Sequence, residues 1–281
     1  MTATTTRWAE LMPREFLARQ QELPLVYLPL GLCEPHGHAA AFGLDTLKAE
    51  WLCEEAARRF GGIVAPTQGF QIHETGYHRP WLAEVVGDVN PHLGSVPPDV
   101  LLRMLLFQVR AFVNAGFRAV VVLTGHHGNE ADLRLVASEV MRTRPVRIIA
   151  VGDQELARPD HTGDHAGRFE ISQLLFIRPD LVDLSRLGDT ATSPLGRFAQ
   201  GSDAGEATAE QGRAILEHSL TRLHHLIDLH QPFPESVETL SIPATEEIWQ
   251  RVAARRDEWS TLQERDPLPG VLASAAEIGL R

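Results

Sequence analysis

Apolar positions fall into short runs separated by stretches of helical periodicity. Residues 23–31 (LPLVYLPLG) form a compact apolar run closed by Gly31, the pattern of a strand buried on both faces. Over 45–59 the period changes, and Leu47, Trp51, Leu52 and Ala56 recur at helical spacing. Residues 61–66 read as a second strand. A long helix is predicted over 97–117, opened by Pro-Pro-Asp and closed at Gly116. Residues 118–125 (RAVVVLTG) are the clearest strand in the chain. A helix over 129–143, a strand over 146–152, a helix from about 166 to 177 and a long helix from about 205 to 229 complete the pattern.

Strands alternating with helices at this spacing predict an α/β fold with a mainly parallel sheet, read as one domain over 1–281. Ligands in such folds sit beyond the carboxyl ends of the strands. The loops after 23–31, 118–124 and 146–152 are therefore expected to meet at one edge. Residues 186–204 are rich in Gly, Ser and Thr and read as a loop able to cover a site. The proline-bearing tail after about 231 is expected to pack on the surface or on a neighbouring subunit.

Composition narrows the partners. With 43% hydrophobic and 22% charged residues, the 281-residue chain can bury a substantial core. A net charge of −11 argues against nucleic acid and against an anionic membrane surface. No apolar stretch approaches the ~20 residues that span a bilayer, and the N-terminus lacks the pattern of a secretory signal. Cys33 and Cys53 form no disulfide framework and lack zinc-knuckle spacing. They read as buried thiols of a reduced, cytoplasmic protein.

Three of the predicted loops carry metal-ligand chemistry. The first (GLCEPHGHAAAFGLD) supplies Glu34, His36, His38 and Asp45. Residues two apart in an extended segment face the same way, so Glu34 and His36 can address one point. Asp45 stands at a helix start, where the dipole favours a carboxylate, and its two oxygens allow it to bridge two ions. The second loop (TGHHGNEAD) offers His126 or His127 between Gly125 and Gly128. The third (GDHAGRFEIS) offers His165 and Glu170. Each loop alone also reads as ordinary helix capping. All three together, each following a predicted strand, point to a metal site. Imidazole and carboxylate without thiolate suit Zn, Mn or Fe(II), and five ligands with one bridging carboxylate suit two ions.

Glu34-Pro35-His36-Gly37 with Asp45, Thr124-Gly125-His126-His127-Gly128-Asn129 and His165-Ala166-Gly167-Arg168-Phe169-Glu170 resemble the three motifs of the creatininase family. The similarity runs from about residue 24 to 176, with a weaker match near 201–213. It implies a three-layer α/β/α fold and a homo-oligomer (often a hexamer), and with the ligand chemistry it leads to an expectation of two divalent ions, zinc first, with manganese or iron as alternatives. By the same resemblance Asp45 bridges the ions, Glu34 and His126 complete one, His36 and Glu170 complete the other, and His165 is the acid/base group. The implied chemistry is hydrolysis of a small amide, cyclic or a formamide.

Two departures bear on the substrate. Members that hydrolyse creatinine carry Glu two residues after the motif histidine, where this chain has Gly128, and enclose the substrate with tryptophans from mid-chain. No Trp lies between Trp81 and Trp249 here. His38, His127 and the segment 69–81, with His73, Glu74, Tyr77 and His78, read as substrate-facing groups able to hydrogen-bond a hydroxylated molecule. This leaves ring opening or C–C cleavage of a keto-polyol or keto-sugar as the alternative reaction. A non-catalytic binding member of the family is a third reading.

Overall fold

The computed structural model describes residues 5–73, 94–190 and 200–262. Its centre is a four-stranded parallel sheet of β1 (Leu25–Leu30), β2 (Ile63–Val64), β3 (Ala119–Thr124) and β4 (Arg147–Gly152), in the order β2-β1-β3-β4. The main helices are α1 (Pro13–Glu22), α2 (Leu44–Phe60), α3 (Pro98–Asn114), α4 (Glu130–Met141), α5 (Asp153–Ala157), α6 (Arg168–Ile177), α7 (Ala209–Leu229) and α8 (Ile242–Ala253).

The strands read as unbroken apolar runs because both faces are covered. Val26, Leu28, Leu30, Val120, Val122, Ile148 and Ala150 point into a core shared with α3, α4 and α8. The alternate residues Leu25, Tyr27, Val121, Leu123, Ile149 and Val151 meet α2 and α7 on the other side. The result is the expected three-layer α/β/α architecture. Register decides where a site can form. Leu30 pairs with Thr124, and Thr124 with Gly152, so β1, β3 and β4 end level with one another. Their outgoing loops start side by side, as the strand pattern predicted.

The structure departs from the sequence pattern in three places. The second strand shrinks to Ile63–Val64, flanked by Gly61 and Gly62. In α2 the face against the sheet is Leu44, Asp45, Lys48, Ala49, Leu52, Cys53, Ala56 and Ala57. Leu47 and Trp51 are only half-buried, Trp51 lying edge-on to Phe176 at 5.7 Å. The buried stripe is thus rotated from the purely apolar one and carries an acid and a lysine. The expectation that the tail lies on the surface is corrected. Ser241 caps α8, its side chain accepting from the Ala244 amide at 3.3 Å, and Ile248, Trp249 and Val252 join the α3/α4 core. The proline content concealed an amphipathic helix with Pro243 in its first turn, where a missing N–H costs nothing.

The tail is also tied down by polar contacts. Asn114 donates to Leu240 O and accepts from Leu240 N, at 2.9 and 2.7 Å. Buried Asp132 accepts four hydrogen bonds of 2.6–3.0 Å from the amides and hydroxyls of Ser260 and Thr261. Cys53 is buried and Cys33 half-buried, both as free thiols. No described helix is long and apolar enough to cross a membrane. Asp132→Ala should cost about 2–4 kcal/mol by stranding those donors. Urea unfolding with an unchanged midpoint would mean the tail is only a surface appendage.

Candidate metal centre

The chain leaving β1 stays extended beside residues 68–69, with Gly31 N donating to Gln68 O at 2.9 Å and Cys33 N to Gly69 O at 3.1 Å. That run carries Glu34 and His36 over the sheet edge. Asp45 reaches the same place in the first turn of α2 because two glycines let the helix approach. A Cβ on Gly31 would lie 2.3 Å from Thr46 N, and one on Gly125 would lie 2.2 Å from Asp45 O. Glu170 arrives in the first turn of α6. Asp164 caps that helix, accepting from the Phe169 amide at 2.7 Å, while Glu170 Oε2 accepts from the Ala166 amide at 2.8 Å.

These pieces meet in a dry pocket. Glu34, His36, Asp45, His126 and Glu170 are each at most 4% exposed. The Asp45 carboxylate faces two ways: Oδ1 lies 3.2 Å from His36 Nε2, and Oδ2 lies 3.3 Å from His126 Nδ1. His126 Nδ1 is also 2.8 Å from Glu34 Oε1, and His36 Nε2 is 3.6 Å from Glu170 Oε2. His36 Nδ1 donates to Glu34 O at 3.0 Å, so the neutral ring turns its Nε2 lone pair toward Asp45 and Glu170. Donor atoms lie within 4.8 Å of one another in three sets: His36 with Asp45 and Glu170, Glu34 with His73 and His126, and Glu34 with His36 and His165.

The structure thus brings together all five residues singled out as ligands. His165 stacks on His36 with ring centroids 4.9 Å apart, and its Nε2 donates to Pro35 O at 3.1 Å. His73, expected to face substrate, is instead fully buried with Nε2 2.6 Å from Glu34 Oε2, which makes it a candidate ligand. His127 turns its Nε2 to Asp153 Oδ1 at 2.9 Å, and His38 is half-buried in the turn after His36. Glu74, Tyr77 and His78 lie outside the described residues, as do residues 191–199 of the 186–204 loop.

Sequence reasoning missed Lys48 and Asp153. The Lys48 ammonium is fully buried, bonded to Glu170 Oε1, 3.3 Å from Asp153 Oδ2 and 3.7 Å from Asp45 Oδ1. A signal existed. Lys48 stands midway between Leu44 and Leu52 on the buried face of α2, and Asp153 directly follows β4, where ligands are sought.

The electrostatics are those of a pocket short of positive charge. Burial alone would lower the His36 and His126 imidazolium pKa values. The surrounding carboxylates together outweigh it: Asp45, Glu170 and Glu34 raise His36 to about 9, and Glu34 with Asp45 raise His126 to about 10. Burial would raise the Glu170 carboxyl, but Lys48 and then His36 bring it down to about 2. Burial likewise opposes ionisation of Glu34, yet His126 and His73 hold its carboxyl well below the ordinary range. For Lys48 the buried position disfavours the cation, but Asp153, Glu170 and Asp45 raise its pKa and keep it charged. His165 is lowered, first by burial, and stays neutral at pH 7. Imidazoles and carboxylates aimed at common points, with carboxylates that need a cation, fit divalent metal ions.

A parallel three-layer fold with imidazoles and carboxylates gathered at its strand ends defines a candidate metal-binding α/β class, and comparison with known proteins narrows it. The creatininase (creatinine amidohydrolase) family model matches residues 9–227. The chain belongs to the creatininase family, whose members are metal-dependent hydrolases. It is 28% identical over 243 residues to creatinine amidohydrolase of Pseudomonas putida, covering 74% of this chain and 90% of that one. It is 27% identical over 113 residues to 3-dehydro-scyllo-inosose hydrolase of Thermotoga maritima, covering 40% of this chain and 33% of that one. A manganese creatininase superposes with a TM-score of 0.67 at 25% identity, covering 82% of this chain and all of that one.

Below pH 9 the metal-free protein holds protons on His36 and His126 that an ion must displace. Metal uptake at pH 7 should therefore release protons, and apparent affinity should rise with pH up to about 10. Calorimetry in buffers of different ionisation enthalpy measures this, and zero proton release would contradict the assignment of these two histidines.

Proposed function

We propose that this protein hydrolyses a small amide, cyclic or a formamide, with a water activated between two divalent ions. The observation that carries the reading is the two-way orientation of Asp45, one oxygen toward His36 and the other toward His126. Glu34 and His126 would hold one ion, His36 and Glu170 the other, and Asp45 would serve both. Imidazole and carboxylate donors without thiolate favour zinc, with manganese or iron as alternatives. Ions bound there supply Lewis acidity and lower the pKa of a bound water from ~15.7 toward ~7.

His165 moves the proton. Its Nε2 donates to the Pro35 carbonyl, which puts the lone pair on Nδ1. A neutral imidazole takes a proton from the attacking water and passes it to the leaving nitrogen as the C–N bond breaks. Pro35 O and the stacked His36 ring hold the orientation. Burial of the carboxylates excludes bulk water, which strengthens each charge interaction in the pocket.

Creatinine itself is disfavoured as substrate. Gly128 takes φ +95°, a region L side chains rarely adopt, so a Glu at this position would be strained. The acid two residues on, Glu130, is turned back onto Gly128 N at 2.9 Å and Gln154 Nε2 at 3.2 Å. A second reading, hydrolytic ring opening or C–C cleavage of a keto-polyol, is favoured by the similarity to the inosose hydrolase and by His127 at the pocket.

A screen of small lactams and formamides against keto-inositols and keto-sugars separates the two readings. Turnover of the first set is expected, turnover of the second alone would replace the amide reading, and turnover of creatinine would refute the argument from Gly128. His165→Ala should retain metal while kcat falls by roughly 10²–10⁴; full activity in that variant would remove His165 from the mechanism.

A further inference from the structure

Resting on the amide reading, we propose that the substrate carries a hydroxyl group, and that His127, oriented by Asp153 and Lys48, binds it. A chain of buried groups leads from the candidate ligands to this ring. Glu170 Oε1 is bonded to Lys48 Nζ, Lys48 Nζ lies 3.3 Å from Asp153 Oδ2, and Asp153 Oδ1 accepts from His127 Nε2 at 2.9 Å. Lys48 and Asp153 are both buried, so neither has bulk water as an alternative partner. The ammonium keeps Asp153 an anion, and an anion there fixes a proton on His127 Nε2. The plane of the imidazole is thereby set, and Nδ1 is left over. Among the described residues Nδ1 has no hydrogen-bond partner.

The place of the ring says what that nitrogen is for. His127 follows the candidate ligand His126 in the loop leaving β3, at the end of the sheet where ligands are sought. Its side chain is 13% exposed, against 0% for Lys48 and 1% for Asp153, so the buried chain opens at this ring. A hydroxyl suits Nδ1 in either proton state of the ring. It donates to the lone pair of a neutral imidazole and accepts from a charged one. A carbonyl can only accept, and a methylene does neither. The same loop holds a second unused polar group. Asn129 is buried, and neither its Nδ2 nor its Oδ1 has a partner among the described residues. Buried polar groups in folded proteins are nearly all paired. The β3 loop therefore carries hydrogen-bonding capacity that the chain itself does not use. A hydroxylated ligand uses it, and a bare lactam leaves it stranded.

Matched pairs of amides test this: butyrolactam against hydroxylated butyrolactam, and N-ethylformamide against N-hydroxyethylformamide, each with the Mn²⁺-loaded full chain. The hydroxylated member of each pair should have the higher kcat/KM by about tenfold or more. His127→Phe keeps a ring without its nitrogens, and the ratio within each pair should fall to about one. Asp153→Asn still offers an oxygen to Nε2 and should keep most of the ratio, whereas Asp153→Ala should lose it. A structural defect lowers both members together and leaves the ratio where it was. Equal kcat/KM within each pair in the unmodified protein, or a ratio unmoved in His127→Phe, overturns the inference and leaves the amide reading standing. If no amide is turned over, that reading falls. Calorimetric binding of the same pairs then still decides the hydroxyl contact, with tighter binding of the hydroxylated members expected and equal or absent binding overturning it. The unmodified protein decides the preference even if a variant fails to fold.

Discussion

Glu34, Asp45, Asp153 and Glu170 place four carboxylates in one water-excluded pocket, each at most 2% exposed, and the rest of the structure answers to that constraint. A buried carboxylate without a partner costs several kcal/mol. Burying four together is tolerable only where cations are supplied. The chain itself supplies the Lys48 ammonium and a set of imidazoles, three of which, His36, His126 and His127, are pushed toward protonation. The same force that protonates His36 and His126 in the metal-free protein is the one that would draw in divalent ions, since both are responses to uncompensated negative charge.

The fold makes this concentration of charge mechanically possible. Three parallel strands end in register, so their loops emerge within reach of one another. Asp45 and Glu170 both stand in the first turn of a helix, where the backbone dipole offsets part of their charge. Gly31 and Gly125 let α2 come close enough for Asp45 to sit between the β1 and β3 loops. Around this edge, covered sheet faces and an anchored C-terminal helix form the rigid support that a site of this precision needs.

Family membership and substrate separate at this site. The ligand-bearing segments follow the creatininase pattern, and the metal chemistry goes with them. The positions around them do not. Gly128 removes an acid and takes a backbone conformation that a side chain resists. Beside Asp45 and Glu170, Lys48, Asp153 and His127 form a chain of buried charged and polar groups. Chemistry and specificity are set by different residues, so similarity in the first does not transfer the second.

The sequence by itself determined the alternating α/β order and the three loops that carry ligand-type residues, because strand burial and motif spacing are local properties of the chain; the five-residue ligand set came with the family resemblance, and the level strand ends came from the register of the sheet. It did not reveal that Lys48 is buried. Its helical periodicity was legible, but only packing against β1, β3 and Glu170 shows that this face of α2 lies over carboxylates and not solvent. Nor did it show that His73 turns onto Glu34, since a residue's partner across 39 positions depends on how the loop after β2 folds back beside the β1 loop. The tail after 231 was misread for the same reason: the apolar face of α8 matters only once α3 and α4 are there to receive it. Tertiary structure decided which charges are buried together, because desolvation and Coulomb attraction act through space and have no signature in sequence order.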